Sequence, residues 1–488
     1  MFDILALRLL AANQIIEKFL NLAIIPILAV YLGPSGFGFW MQVMILIPLF
    51  NLALLLNCDV YFVTNHSKKS FYDFFESNNF GSVVVSFFKF LIAASCLTII
   101  IAQIFPNFFS ILFFGGLNSP DMLGVVLFLI SEVFYHFFYS IIRASDKEVL
   151  LAKIISVKTM LKTFALICLV WFELSLQQLF GSFVIMNIII CTGTYLCIKT
   201  SFQAESLRPF RYIKPSSFSL HIQKALMLGG VALLSYVAAH IERFVIAGFK
   251  DFDFLGILSI SLSAGYLAAI GFLVLSPIIY PKIVIETKSA DPNFVTINNM
   301  FFSFYFGLGV PALYFLYSYS EFLFMALGME DYIILPSAIL MIALSGLLLS
   351  FWHYLAFFTL ASGEKRVTSI SLCVIITSKL FLVYWLYEFS YLLVGIALSS
   401  SVLLGIVVLL FLSKVSFQLR KSLFLLFNAI LCVTVTRLAL IIVQHFWVTH
   451  VDASLLVLML FEVCVCSLVL IAVFPVIRGM MSSSQNLN

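Results

Sequence analysis

The sequence is short of charge. Only 10% of its 488 residues are Asp, Glu, Lys or Arg, against about a quarter in soluble globular domains, while 63% are hydrophobic and the mean hydropathy is +1.13. That balance excludes a water-soluble fold and points to an all-α polytopic membrane protein, solvated by lipid. Large polar segments are lacking too, so there is no basic soluble domain to hold nucleic acid. The nine cysteines are scattered, mostly inside apolar runs (Cys96, Cys168, Cys191, Cys432, Cys464, Cys466), without the Cys and His spacing of a metal site. Neither a disulfide framework nor a metal or other cofactor is expected. Also missing are a nucleophile paired with a base and a glycine-rich phosphate loop. The longest outer stretch, Pro106 to Pro120, has no charged residue, with Asp121 at its edge. An enzyme such as a polysaccharide polymerase or membrane glycosyltransferase, which needs catalytic groups on a sizeable loop, is the disfavoured rival. Met1 to Ala12 has no basic start and no small-residue cleavage site, so no cleaved leader is expected.

What the chain has in abundance is long apolar runs. A spanning helix needs about 20 apolar residues, and cutting the sequence at its short polar gaps yields fourteen: roughly 13–32, 36–56, 83–105, 121–142, 154–173, 178–198, 225–247, 254–280, 301–319, 334–360, 367–388, 391–413, 422–444 and 454–477. Orientation follows from the 27 basic residues: nineteen fall in segments on one side, only Lys250 in those on the other, and seven inside spans. Basic short loops resist translocation, so both termini are expected in the cytoplasm.

Three sequence matches suggest that the spans repeat. YLGPSGFGFW with Gly38 answers FDFLGILS with Gly256, offset 218; FSILFFG ending at Gly115 answers FLFMALG ending at Gly328, offset 213; RASDKEV with Ala144 answers LASGEKRV with Ala361, offset 217. Six spans separate equivalent points, so the two copies share one orientation and are expected as two six-helix bundles related by an axis along the membrane normal. The resulting domains are 1–198, a cytoplasmic linker 199–224, 225–413, and two additional helices with a short tail in 414–488.

An ionisable group at membrane depth is costly and has to face protein or an internal cavity. Glu17, flanked by Asn13 and Asn21 at i±4, and the adjacent Lys18 form a polar stripe; a cavity-facing role and snorkelling to the inner surface both fit. Glu132, His136, Tyr139 and Arg143 lie on one face of the fourth span, either lining a cationic cleft between the two bundles or pairing with a basic residue of a neighbouring helix. In the fifth span Lys158 can snorkel, whereas Lys162 does so with difficulty; Lys379 sits deep in the eleventh. Tyr236, His240 and Arg243 share a face of the seventh, with Glu242 pointing elsewhere; a cleft-lining face and anchoring of Arg243 at the outer interface are both open. Arg437 and Glu462 fall at equal depth in the last hairpin and are expected to form a structural pair. Seven basic residues against four acids leave the membrane interior net positive, which selects an anion.

YLGPSGFGFW, HIERFVIAGFKDFDFLGILSIS, SPIIYP, FLFMALGMEDY and LASGEKR together resemble the Wzx-type polysaccharide flippases of the multidrug/oligosaccharidyl-lipid/polysaccharide exporter superfamily. The resemblance implies a V-shaped pair of bundles alternating between inward-open and outward-open states in a bacterial inner membrane. The implied cargo is an undecaprenyl-diphosphate-linked oligosaccharide, with membrane lipids and other polysaccharide assembly proteins as neighbours. LLLNCDVYFV stands where relatives have a Gly-containing turn, and fourteen spans exceed the usual twelve. On this reading the diphosphate meets Lys18, Lys162 and Lys379 from the inside and Arg243 on the outer side, Tyr236 and His240 line the path, and Glu132, His136 and Glu17 are candidates for ion coupling. A drug or lipid II exporter of the same fold is the alternative.

Overall fold

The computed structural model describes residues 4–55, 62, 80–116, 122–144, 148–201, 215–268, 283 and 295–413. Within them the chain is helical, with no strand. We number the helices α1 (Ile4–Leu55), α2 (Phe80–Ile104), α3 (Pro106–Phe114), α4 (Met122–Ala144), α5 (Glu148–Trp171), α6 (Leu176–Ser201), α7 (Pro215–Gly248), α8 (Phe252–Ala268), α9 (Val295–Ala326), α10 (Pro336–Ala361), α11 (Lys365–Leu386) and α12 (Tyr391–Leu412). A 3-10 turn, Glu330–Tyr332, precedes α10.

Lipid offers no partner to a backbone N–H or C=O, so the apolar runs satisfy these groups internally as helices. Nine helical stretches among the described residues are long and apolar enough to cross a membrane, from Ile24–Leu55 to Tyr391–Leu412. Eight of them match single expected spans to within five residues. The expected first and second spans are both inside α1, which breaks at Gly33 with φ 64° and ψ 174°, a region only glycine enters easily. The thirteenth and fourteenth spans lie outside the described residues, as do residues 269–280 of the eighth.

Helix ends are marked by local chemistry. Pro106 and Pro336 open α3 and α10, where a missing N–H costs nothing. At α6 the Ser175 N–H donates to Gln178 Oε1 (2.8 Å) and the Gln178 N–H to Ser175 Oγ (3.3 Å), a reciprocal cap. Asp251 accepts from the Phe254 N–H at the start of α8 (2.8 Å), and Ser390 from the Leu393 N–H at α12 (3.3 Å).

The chain divides into two compact units, residues 1–257 and 258–488. In the first, α1 packs against α5, α4 and α7, while α6 packs on α4 and α5. Trp40 of α1 stacks on Phe180 and abuts Phe183 of α6, and Phe128 of α4 stacks on Phe180, which ties the three helices at one level. The α7 helix makes its contacts with α1, α2 and α3. In the second unit α12 lies between α10 and α11. Ser371 of α11 clasps all three: it accepts from Trp352 Nε1 of α10 and donates to the Gly405 carbonyl of α12, both at 2.7 Å. Small residues permit such approach without any hydrophobic drive between helices.

The three pairs of matched sequence positions have these local structures. Gly115 and Gly328 both follow a helix with positive φ (61° and 68°), and Ala144 and Ala361 both end one. Gly38 and Gly256 meet each other. A Cβ on Gly38 would run into the carbonyl of Phe252, four residues before Gly256, and one on Gly256 into the carbonyl of Pro34, four residues before Gly38.

Candidate functional site

Inside the first unit, α1, α4, α5 and α6 enclose a cavity of about 300 Å³. Its polar lining is Glu132, Tyr135, His136 and Tyr139 of α4 and Lys158, Thr159 and Lys162 of α5; Met44, Ile47, Phe128, Ile155, Phe183 and Met186 complete it. These polar residues recur at helical spacing, so each helix presents them on one face. Glu132 is central in the apolar stretch Met122–Arg143, and Lys162 is central in Leu150–Trp171. Neither reaches a membrane surface easily.

Glu132 and Lys158 form an ion pair, Nζ to Oε2 2.6 Å, with side chains 9% and 14% exposed. The ammonium also sits 3.4 Å from the centroid of the Tyr135 ring, a cation–π contact strengthened by partial burial. The second carboxylate oxygen, Oε1, accepts from Asn187 Nδ2 of α6 (3.0 Å). Asn187 also donates to Ser131 Oγ (2.9 Å), whose hydroxyl donates to the Phe128 carbonyl (2.7 Å). Taking two charges out of water is expensive, and the pair is tolerable because both partners are further hydrogen-bonded. With Glu132 and Lys158 cancelling, Lys162 leaves the lining one positive charge in excess.

The structure therefore brings Glu132, His136, Tyr139 and Lys162 together as cavity lining and gives Glu132 a basic partner as well. The pairing with a basic residue of a neighbouring helix is observed, and the cavity is lined by the first unit alone, where the sequence places these residues on a cleft between two bundles. Arg143, on the same face, is exposed at the end of α4. Lys158, read as free to snorkel, turns instead onto Glu132. Two members of the network carried no weight in the sequence reading: Tyr135, hidden among the many aromatics, and Asn187. The signal for Asn187 was available, since a lone amide in FVIMNIII at mid-span has to find a partner.

On α7, Tyr236 stacks near His240, ring centroids 4.6 Å apart, and its hydroxyl donates to the Ile45 carbonyl of α1. Arg243 and Glu242 are buried and His240 half-buried. Tyr236 is thus engaged in holding α7 to α1. In the second unit Lys379 is 2% exposed on the face of α11 that also buries Ser371, Ile375 and Val383, within electrostatic range of His353. The side chains of Glu17 and Lys18, and the whole of Arg437 and Glu462, lie outside the described residues. No group of three or more His, Cys, Asp or Glu among the described residues could hold a metal ion.

No protein family and no curated protein matches the sequence. Solved structures do. A lipid II flippase, MurJ, in an inward closed conformation superposes with TM-score 0.74 at 16% identity, covering 98% of this chain and 99% of its own. A MATE transporter in complex with MaD5 gives 0.54 at 13% identity, covering 83% and 93%. A MOP superfamily transporter from Pyrococcus furiosus, described as having a binding pocket of reverse polarity, gives 0.52 at 13% identity over the same shares. At these identities the likeness establishes the fold: this chain has the fold of membrane flippases and transporters of that superfamily, and is a multi-pass membrane protein.

Proposed function

We propose that the protein is a flippase that moves an undecaprenyl-diphosphate-linked oligosaccharide repeat unit from the cytoplasmic to the periplasmic leaflet of a bacterial inner membrane, by alternating access. The observation that carries this reading is a cavity lined by two lysines against one glutamate, in a chain that shares its fold with a lipid II flippase over 98% of its length. Lysine binds phosphate as a point charge, and Tyr139 and Thr159 supply hydroxyls that suit a saccharide. The prenyl tail stays in lipid while the headgroup crosses. Nothing in this scheme makes or breaks a covalent bond, so the activity is transport and not catalysis.

In this scheme Lys162 and, as separately testable positions, Lys18, Lys379 and Arg243 handle the anion. Tyr236 and His240 border its route, Glu132, His136 and Glu17 couple an ion to movement, and Arg437 with Glu462 steadies the last two spans. A second reading, export of lipid II itself, is favoured by the whole-length likeness to MurJ. Export of a drug fits the fold shared with a MATE transporter but not the cationic lining.

Deleting the gene separates these outcomes. Stalling of a surface polysaccharide at its lipid-linked unit, rescued by the wild type and not by Lys162→Ala or Lys379→Ala, is the expected result. Accumulation of lipid II with cell lysis would favour the second reading. Full rescue by both variants would remove the proposed anion contacts.

A further inference from the structure

We propose that Lys158 is a shared cation: Glu132 holds it while the cavity is empty, and an entering diphosphate takes it over, so that Glu132 is an internal stand-in for the substrate's anion. This rests on reading the cavity as the anion-binding part of a flippase. It makes Lys158 a ligand and gives Glu132, placed above in ion coupling, the part of a competitor.

The geometry favours movement of one partner only. Glu132 is fixed from two sides: it sits mid-helix on α4, and Asn187, itself tied to Ser131, holds its second oxygen. Lys158 carries its charge on a four-carbon stem with three rotatable donors, and its amine borders the cavity. The Tyr135 ring beneath the ammonium gives it a second contact, independent of the carboxylate. A purely structural ion pair would be sealed between helices. This one opens on about 300 Å³ of space whose lining includes Lys162, one turn further along α5. Residues at i and i+4 stand about 5–6 Å apart at Cβ, a separation that adjacent phosphates of a diphosphate can bridge.

Exchange also resolves an energetic difficulty. Breaking a buried ion pair outright is costly because it strands a charge. Replacing one anionic partner of Lys158 by another leaves the lysine paired; the cost falls on Glu132, whose carboxylate gives up the ammonium and keeps the Asn187 amide. While the cavity is empty Glu132 already cancels Lys158, so a stray anion meets a lining with one excess positive charge and not two. An anion with two phosphates gains where one with a single charge does not, because only the former engages Lys158 and Lys162 together.

The test uses the purified full-length protein in detergent with inorganic pyrophosphate as probe, reading melting temperature and affinity. Glu132→Gln removes the competitor and leaves Lys158 without its carboxylate. We expect it to melt below the wild type without pyrophosphate, to be raised by pyrophosphate more than the wild type is, and to bind it about tenfold more tightly, the affinity equivalent of the weaker couplings measured between close charge pairs. The double variant Glu132→Gln, Lys158→Met removes both charges and should fold, since neutral replacements of buried pairs are well tolerated. It should show no comparable rise. An equal response of Glu132→Gln and wild type would overturn the exchange, as would a double variant that binds pyrophosphate as tightly as the wild type; the latter comparison holds even if Glu132→Gln alone does not fold. Reconstituted vesicles keep the two readings apart. Wild-type transport of a lipid-linked saccharide without the pyrophosphate rescue would overturn the exchange and leave the flippase standing. Rescue in a protein that moves no such lipid would leave the exchange and overturn the flippase.

Discussion

Asn187 illustrates how one amide organises charge at membrane depth. It is fully buried, while Ile185, Ile188 and Ile189 around it on α6 are more than half exposed on the outer side of the bundle, so the helix turns its only mid-span amide inward. Its Nδ2 serves Ser131 and Glu132 together. Asn187→Ala should therefore lower stability by about 1–3 kcal/mol, the cost of leaving buried polar groups short of partners, seen as a lower melting temperature in detergent. Ser371→Ala should cost about 1 kcal/mol, because interhelical hydrogen bonds in membranes are individually modest, although it cuts the link from Trp352 to Gly405. At this scale the sequence told which residues were buried better than it told which partner each would take. Helical spacing placed Glu132, His136 and Tyr139 on one face of α4, but periodicity within one helix carries no information about the neighbour. The turn of Lys158 toward α4 is decided by helix packing, which one sequence does not display.

The glycines of the repeat show the same division between helices as elements and their contacts. Gly33 and Gly38 both sit at the break in α1, for different reasons. Gly33 needs its positive φ, and a Cβ there would meet nothing within 4 Å; Gly33→Ala should cost about 1–3 kcal/mol through backbone strain alone. Gly38 is ordinary helix with another backbone pressed against it. Gly38→Ala should cost a similar 1–3 kcal/mol by overpacking, and so should Gly256→Ala at the facing position. Because both alanines would push apart the same two backbones, the double variant should cost less than the sum of the singles, and thermal unfolding of the four proteins measures that coupling. An offset of 218 in two weakly similar strings was legible in the sequence. That the matched residues touch one another was not, since a repeat says which positions are equivalent and nothing about where the copies meet. The limits of eight single spans among the described residues were legible because length and hydropathy alone set them in lipid.

For the molecule as a whole, the open matter is how many times the chain crosses and which way it faces. The MATE transporter covers 83% of this chain and the lipid II flippase 98%, and the share left uncovered by the former is close to the length of 414–488. That segment contains two apolar runs with Lys414, Arg420 and Lys421 before them, Arg478 after them, and no lysine or arginine from Gln444 to Ala453 between them. If the runs form a membrane hairpin, the basic flanks belong in the cytoplasm and the link without lysine or arginine outside. Alkaline phosphatase, which folds actively only outside the cytoplasm, should then be inactive when fused after Ser413 and after Asn488 and active when inserted at His450. A cytoplasmic fluorescent reporter should show the reverse. Activity after Asn488 would mean an odd number of crossings and would remove the even span count that follows from placing both termini in the cytoplasm. The same result would place the basic flank around Arg478 outside, against the distribution of the other basic segments in the chain, so one fusion series tests the charge rule and the span count together.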